Sequence, residues 1–214
     1  MLTLYFAPGA CSMAPHIALE EVGATFEPKG LSLRKGQHRE PRYLAVNPRG
    51  KVPALLVDGD LLTENVAIFS YLDAAFPQAG LLPQEPLARA QALSWLAWLT
   101  SGVHPAFSPL FGPQRYVDGA EAQASLVAKS RTAVTEKLAE IDRLLAGRDY
   151  ALGTFSAVDC YLYPFFHWAK AMLGFDVSPY ANYAAHHARM QARPSVQRML
   201  AREAAVQAEL DKAA

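Results

Sequence analysis

Residues 8–16 read Pro-Gly-Ala-Cys-Ser-Met-Ala-Pro-His, and Cys11 is the first residue along the chain with evident chemical potential. It falls at or just before the start of a helix. A helix N-terminus stabilises a thiolate and so favours a reactive sulfur there. The other ordinary use of an isolated cysteine is as a small buried filler. Dithiol exchange would need a second cysteine three residues on, where Ala14 stands. Cys11 is thereby restricted to a monothiol role or to assisting a ligand, with Ser12 and Tyr5 as rival hydroxyls nearby.

Three further places carry residue types suited to a site. Val52-Pro53 follows Gly50-Lys51 and opens a strand, where a main chain can hold a peptide-like ligand by strand addition. Thr63-Glu64-Asn65 begins another helix. Capping accounts for these residues, with Thr63 or Asn65 satisfying orphan N–H groups. The same physics would hold a ligand carboxylate at the N-terminus while Glu64 pairs with an ammonium. His104 stands before Pro105 at the expected end of a helix, a position the dipole favours for structural histidines. The other histidines (16, 38, 167, 186 and 187) show no ligand spacing, so no metal is expected. Ser156 and Asp159 have the spacing of a capping box, a folding signal without chemistry.

The elements that must position these residues come in two grammars. Residues 1–6 read as a strand and 14–22 as a helix with Gly23 past its end. Thr25 to Leu33 is a second strand, which makes a β-α-β unit with a right-handed crossover. Asp58-Gly59 between Leu55-Leu56-Val57 and Leu61-Leu62 signals a hairpin, and a helix with Val66, Ile68, Phe69 and Leu72 follows. This order is that of a thioredoxin-like layer on a four-stranded mixed sheet. In such a layer the proline of Val52-Pro53 is cis, and Val52 offers its N–H and C=O to a ligand. Residues 77–86, with three prolines and a glycine, form a linker. Helical periodicity then covers 87–104, 119–146, 157–173, 180–193 and 195–212. The expected fold is an α/β unit over residues 1–80 followed by an all-α unit over 87–214.

Composition narrows the function classes. Hydrophobic residues make up 51% and charged residues 19% of the 214, which suits a well-packed globular chain. Lys and Arg number 20, as do Asp and Glu, so no net field draws in nucleic acid or an anionic membrane. No apolar run approaches the roughly 18 residues of a membrane span, and the N-terminus lacks a secretion-signal pattern. Cys11 and Cys160 lie too far apart in sequence to suggest a disulfide framework, which is consistent with a cytoplasmic protein.

Over nearly its full length the chain resembles the cytosolic glutathione S-transferases, most closely the bacterial beta class. The resemblance is carried by YFAPGACSMAPHIALEE, NPRGKVPALLVDGDLLTENVAI, VHPAFSPLF and GTFSAVDCYLYP, in that order. It implies a thioredoxin-like domain that binds glutathione, a helical domain that forms most of the electrophile pocket, and a homodimer. Cys11 matches the cysteine that beta-class enzymes place beside the glutathione sulfur. Lys35 and Val52-Pro53 match glutathione-binding positions, Glu64-Asn65 would face the γ-glutamyl end, and His104 matches a histidine near the thiol. Three positions depart from the family: Asn65 where serine or glycine is usual, Pro105 where a lysine commonly follows the histidine, and Ala97 where an asparagine approaches the thiol. The implied activity is conjugation of the glutathione thiolate to small hydrophobic electrophiles, a detoxification role in which glutathione is a co-substrate. Trp98, Phe107, Phe111 and Trp168 are candidate linings of the electrophile side, though each alone reads as core. The alternatives are a thiol-disulfide oxidoreductase using Cys11 and a non-catalytic glutathione-binding protein.

Overall fold

The computed structural model describes residues 1–212. Strand β1 (Leu2–Phe6) leads through a loop into helix α1 (Met13–Glu21) and then β2 (Phe26–Gly30), which runs parallel to β1. A short helix α2 (Pro41–Leu44) precedes the hairpin of β3 (Ala54–Val57) and β4 (Asp60–Thr63). β3 lies antiparallel to β1, so the sheet order is β2-β1-β3-β4. Asp58 (φ 51°) and Gly59 (φ 100°) both take the left-handed conformations that a two-residue hairpin demands. The second strand is shorter than the sequence expectation, Phe26–Gly30 against 25–33.

Side-chain alternation splits the sheet into two faces. Leu2, Leu4 and Phe6 enter the main core with Met13 and Ile17 of α1 and with Ile68, Phe69 and Leu72 of α3 (Asn65–Ala75). Tyr5 points the other way, into a small cluster of Leu31, Tyr43 and Ala54 beneath α2. Leu4 and Phe6 are fully buried, and burial of such side chains stabilises by about 1.5–3 kcal/mol each.

Beyond a turn at 77–79 the chain is helical. Helix α4 (Pro86–Trp98) starts with Pro86 in its first turn, and the Glu85 carboxylate accepts from the N–H groups of Leu87 and Ala88 at 3.0 and 2.7 Å. Residues 99–103 form a wide π-type turn that leads directly into α5 (His104–Phe111). His104 therefore opens a helix, contrary to the expectation that it ends one. Pro105 has no N–H to offer the preceding turn, which is where the α ladder gives way.

Helix α6 (Ala120–Leu144) packs against α5, and α7 (Ala157–His167) packs against α1, with residues 157–166 all buried. The expected capping box forms, with the Ser156 N–H and hydroxyl both on Asp159 at 2.8 and 3.1 Å. A second wide turn, 168–172, ends α7, and α8 (Ala181–Gln191) and α9 (Pro194–Lys212) follow. α9 returns to the sheet half. Glu20 of α1 pairs with Arg198 and Arg202 at 2.7 and 2.6 Å, and Arg193 and Ser195 bind Glu21. Val206 lies so close over Gly30 that a Cβ there would come within 2.1 Å of its methyl group.

Candidate functional site

The loop that presents Val52 is fixed from below. Buried Asn47 donates its amide to the Lys51 carbonyl at 2.8 Å and accepts from the Arg49 N–H at 3.1 Å. The Tyr43 hydroxyl donates to the same Lys51 carbonyl. Gly50 sits at φ +58°, and a Cβ there would press within 2.8 Å of the His38 carbonyl. The chain then turns through Val52-Pro53, which is cis as expected, into β3. The Val52 carbonyl accepts from the Cys11 thiol at 3.4 Å. A third element closes the group, because the Asn65 amide at the first turn of α3 donates to the Cys11 carbonyl at 3.4 Å.

Cys11, Val52 and Asn65 thus meet at one point. Asn65 is 6% exposed, and its Oδ1 is buried without a partner. Glu64, just before it, is exposed, adopts φ 71° and pairs with Arg49 at 3.2 Å. Such a backbone angle costs a non-glycine residue about 1–3 kcal/mol. Thr63 ends β4 and gives α3 no side-chain cap, contrary to expectation; its hydroxyl receives the Arg49 guanidinium at 3.3 Å.

The thiol differs from the expectation that a helix start would favour its ionisation. Burial pushes the Cys11 thiol up to about 12, and the lesser opposing influences include its own backbone N–H and the Lys51 charge. Burial costs a charge more than two backbone N–H groups and one cation return. At neutral pH Cys11 is an S–H donor.

The helical half supplies the other wall. The His104 Nδ1 lies 3.3 Å from the hydroxyl of buried Tyr161, and its ring packs on Trp168 and Phe165 at 5.2 and 5.9 Å between centroids. Burial first, then the Lys51 charge, lower His104 to about 4, so it is neutral in the physiological range. The Tyr161 phenol is pushed up chiefly by burial, and it feels Cys11 as well as the side chains of Thr100 and Asn65. Its ring lies 6.2 Å from that of Phe69 on α3 while its hydroxyl meets His104, so the phenol sits at the seam between the two halves. Trp168 crosses that seam, donating its indole N–H to the Gly9 carbonyl at 2.7 Å. The N–H of the same Gly9 is held by Glu203 of α9 at 2.8 Å.

Several residues expected at the site are placed elsewhere. Ser12 is fully buried, and its hydroxyl is spent on Ala7, accepting from the N–H at 3.1 Å and donating to the C=O at 3.2 Å. It closes the loop before α1 and is not a free hydroxyl. Tyr5 lies on the sheet face away from the main core, its ring tilted against Tyr43 at 5.4 Å in the small cluster that Val52 also borders, and it makes no hydrogen bond to Cys11. The Lys35 ammonium reaches the Leu210 carbonyl at the end of α9, not Val52. Trp98 packs against Trp95 and under the Lys137 ammonium at 5.5 and 5.3 Å, on the α4–α6 side. Phe107 is fully buried core, stacked on Phe165, whereas Phe111 is 38% exposed beside Trp168. Met172 is half exposed next to Gly9. Tyr161, Lys51, Arg49 and Glu203 carry interactions that sequence reasoning did not assign. Only Lys51, one residue before Val52, had a positional signal.

Family models for the glutathione S-transferase N-terminal domain and C-terminal domain match residues 1–74 and 123–189. The chain belongs to the glutathione S-transferase family. It is 36% identical over 206 residues to the Escherichia coli O157:H7 protein named glutathione S-transferase GstA, covering 94% of this chain and 98% of that one. A sphingomonad glutathione S-transferase solved with glutathione is 42% identical at a TM-score of 0.82, covering 94% and 98%. The bacterial beta-class glutathione S-transferase of Sphingomonas chungbukensis is 40% identical with the same TM-score and coverage. The transferase fold, a small mixed sheet followed by helices, and the beta-class likeness are both as the sequence suggested. No helix among the described residues is long and apolar enough to cross a membrane.

Proposed function

We propose that this transferase joins the thiolate of glutathione to small hydrophobic electrophiles. Residues 1–80 would form the glutathione-binding unit, and residues 87–214 the wall on which the electrophile rests. The observation that carries this reading is the meeting of the Cys11 thiol, the Val52 carbonyl and the buried, half-satisfied Asn65 amide beside the start of α3. The tripeptide would lie extended along Val52, and none of the described residues accepts from the Val52 N–H. Its γ-glutamyl end would meet Glu64, Asn65 and the positive end of α3. Its sulfur would lie near Cys11, Lys51 and His104. Lowering a bound thiol by one pKa unit requires about 1.4 kcal/mol of preferential binding of the thiolate. A charge-assisted hydrogen bond is worth about that much. Exposed Phe111 and Met172 would receive the electrophile, with Trp168 behind them.

A thiol that ionises only near 12 supports Cys11 as a donor to the ligand's sulfur, and speaks against the Cys11 mixed-disulfide reading. The protein would act as a cytoplasmic homodimer in detoxification, with glutathione and the electrophile as its small-molecule partners. The test is a conjugation assay against a panel of electrophiles with wild type, Cys11→Ala and Ser12→Ala, beside calorimetric titration with glutathione. Conjugation that falls with Cys11→Ala and survives Ser12→Ala in the folded fraction is expected. Glutathione binding without conjugation of any electrophile would refute the transferase reading in favour of a binding protein.

A further inference from the structure

We infer that Tyr161 is a positioning residue for His104: its phenol donates to Nδ1 and fixes the imidazole in the tautomer that carries its proton on Nε2. This rests on the reading of the cleft as the place of glutathione chemistry. It assigns His104 a hydrogen-bond donor's part, not a base's.

The argument starts from a proton that must be placed. Tyr161 is 2% exposed, its ring held by Phe165 at 5.1 Å and Phe69 at 6.2 Å, so its hydroxyl hydrogen cannot go to bulk water. His104 Nδ1 at 3.3 Å is within bonding distance. Thr100 and Asn65 also lie around the phenol. The Thr100 hydroxyl gives its proton to the Leu96 carbonyl at 2.9 Å, and Asn65 gives an amide proton to the Cys11 carbonyl. Asn65 Oδ1 has no hydrogen-bond partner, so the phenol does not donate there, and an imidazole nitrogen lone pair is a stronger acceptor than the Thr100 hydroxyl oxygen; the phenol proton belongs on Nδ1. Burial keeps the phenol protonated and the imidazole neutral. A neutral imidazole that accepts at one nitrogen carries its hydrogen on the other.

The consequence is chemical. With Nδ1 engaged, the ring presents an Nε2–H, and Nε2 is not among the sealed, unpartnered ring nitrogens of this protein, unlike those of His16 and His187. A donor N–H beside a bound sulfur stabilises the thiolate, whereas an unprotonated Nε2 would repel it. Tyr161 also ties this donor to the γ-glutamyl end of the cleft, since Asn65 borders both. The packing of His104 on Trp168 and Phe165 then holds the ring plane while the hydrogen bond holds its edge.

Two measurements decide the matter. In nitrogen-15 NMR of histidine-labelled protein, with His104 assigned by its absence in His104→Gln, wild type should show a protonated Nε2 and an acceptor-type Nδ1. Tyr161→Phe should redistribute the proton between the two nitrogens. A wild-type spectrum with the proton on Nδ1, or one that Tyr161→Phe leaves unchanged, overturns the assignment. That readout needs no turnover, so it stands even if conjugation is never detected and the transferase reading itself fails. The second measurement is a double-mutant cycle on conjugation kinetics. Tyr161→Phe should lower kcat about fivefold to tenfold with KM for glutathione unchanged, the loss expected for one oriented hydrogen bond. The same change should do nothing further in His104→Gln. An equal loss in both backgrounds would assign Tyr161 a merely structural part.

Discussion

Trp168→Phe is the substitution that best probes how the two halves form one site. The indole N–H is the donor to the Gly9 carbonyl at 2.7 Å, and Gly9 lies two residues before Cys11. Phenylalanine retains an aromatic face toward Phe107, Phe111 and His104 but has no donor. An acceptor left unpaired in a sheltered place costs about 1–3 kcal/mol, and the missing ring of a side chain only 4% exposed adds to that. For a chain of this size each kcal/mol moves Tm by about 2–4 °C, so the lost bond alone should lower Tm by about 2–12 °C in calorimetry.

The same loop is held from the other side, because the Glu203 carboxylate accepts the Gly9 N–H at 2.8 Å. Two restraints on one peptide do not act independently. Trp168→Phe should therefore cost less in a Glu203→Ala background than in wild type. Glu203→Gln, which retains an acceptor for Gly9, should be milder than Glu203→Ala. A Trp168→Phe protein that melts within about 1 °C of wild type would refute the idea that the helical half fixes the loop of Cys11.

Three further outcomes follow from the structure. Alkylation of Cys11 by iodoacetamide, followed by peptide mapping, should be slow at pH 8–9 and keep accelerating toward pH 12, because burial raises the thiol to about 12; a midpoint at or below 9 would refute this. The sign for folding is the same: above pH 9 the unfolded thiol ionises first, so this group costs stability as pH rises from 9 to 12. His187, between Tyr163 and Phe166 at 4.6 and 4.7 Å, is lowered to about 4 chiefly by burial. The unfolded chain then takes up that proton first between pH 6.5 and 4, and stability falls over that window. His187→Gln should flatten the acid limb of the stability profile. Gly30→Ala should destabilise by about 1–3 kcal/mol through its clash with Val206, and Val206→Ala should restore most of the loss in thermal melts.

The fold was legible where local chemistry leaves few choices. Asp58-Gly59 between apolar pairs dictates a tight hairpin, Ser156 and Asp159 dictate a helix start, and the alternation of β1 assigns its two faces. What escaped depended on contacts between distant segments. Ser12 looked like a candidate hydroxyl because nothing local reveals that its loop folds back on Ala7. Lys35 lies near a suitable place in sequence, but the end of α9, 175 residues away, holds its ammonium. The wide turns at 99–103 and 168–172 have no signature in hydrophobic periodicity, and a helix read through them misplaces the ends beyond. Helical periodicity could not say which face of α4 Trp98 occupies. Tyr161 was hidden inside a run of buried aromatics where it resembled its neighbours, and its role depends on a partner 57 residues away.

The family departures at Pro105 and Asn65 bear on one another through this geometry. A lysine after the histidine would put a cation on the helical wall; proline puts none there. The field on His104 and Cys11 comes instead from Lys51, on the loop that presents Val52. The cation is then held by the sheet half, on the loop that presents Val52, so its placement follows the turn built by Asn47, Tyr43 and Gly50. Proline at 105 also accompanies the wide turn that brings His104 to the start of α5, facing Tyr161. Asn65, with an amide larger than a serine hydroxyl, reaches the Cys11 carbonyl and borders the same phenol. Through His104 and Tyr161 the two positions are linked, so the losses in conjugation rate caused by Pro105→Lys and Asn65→Ser should not simply add.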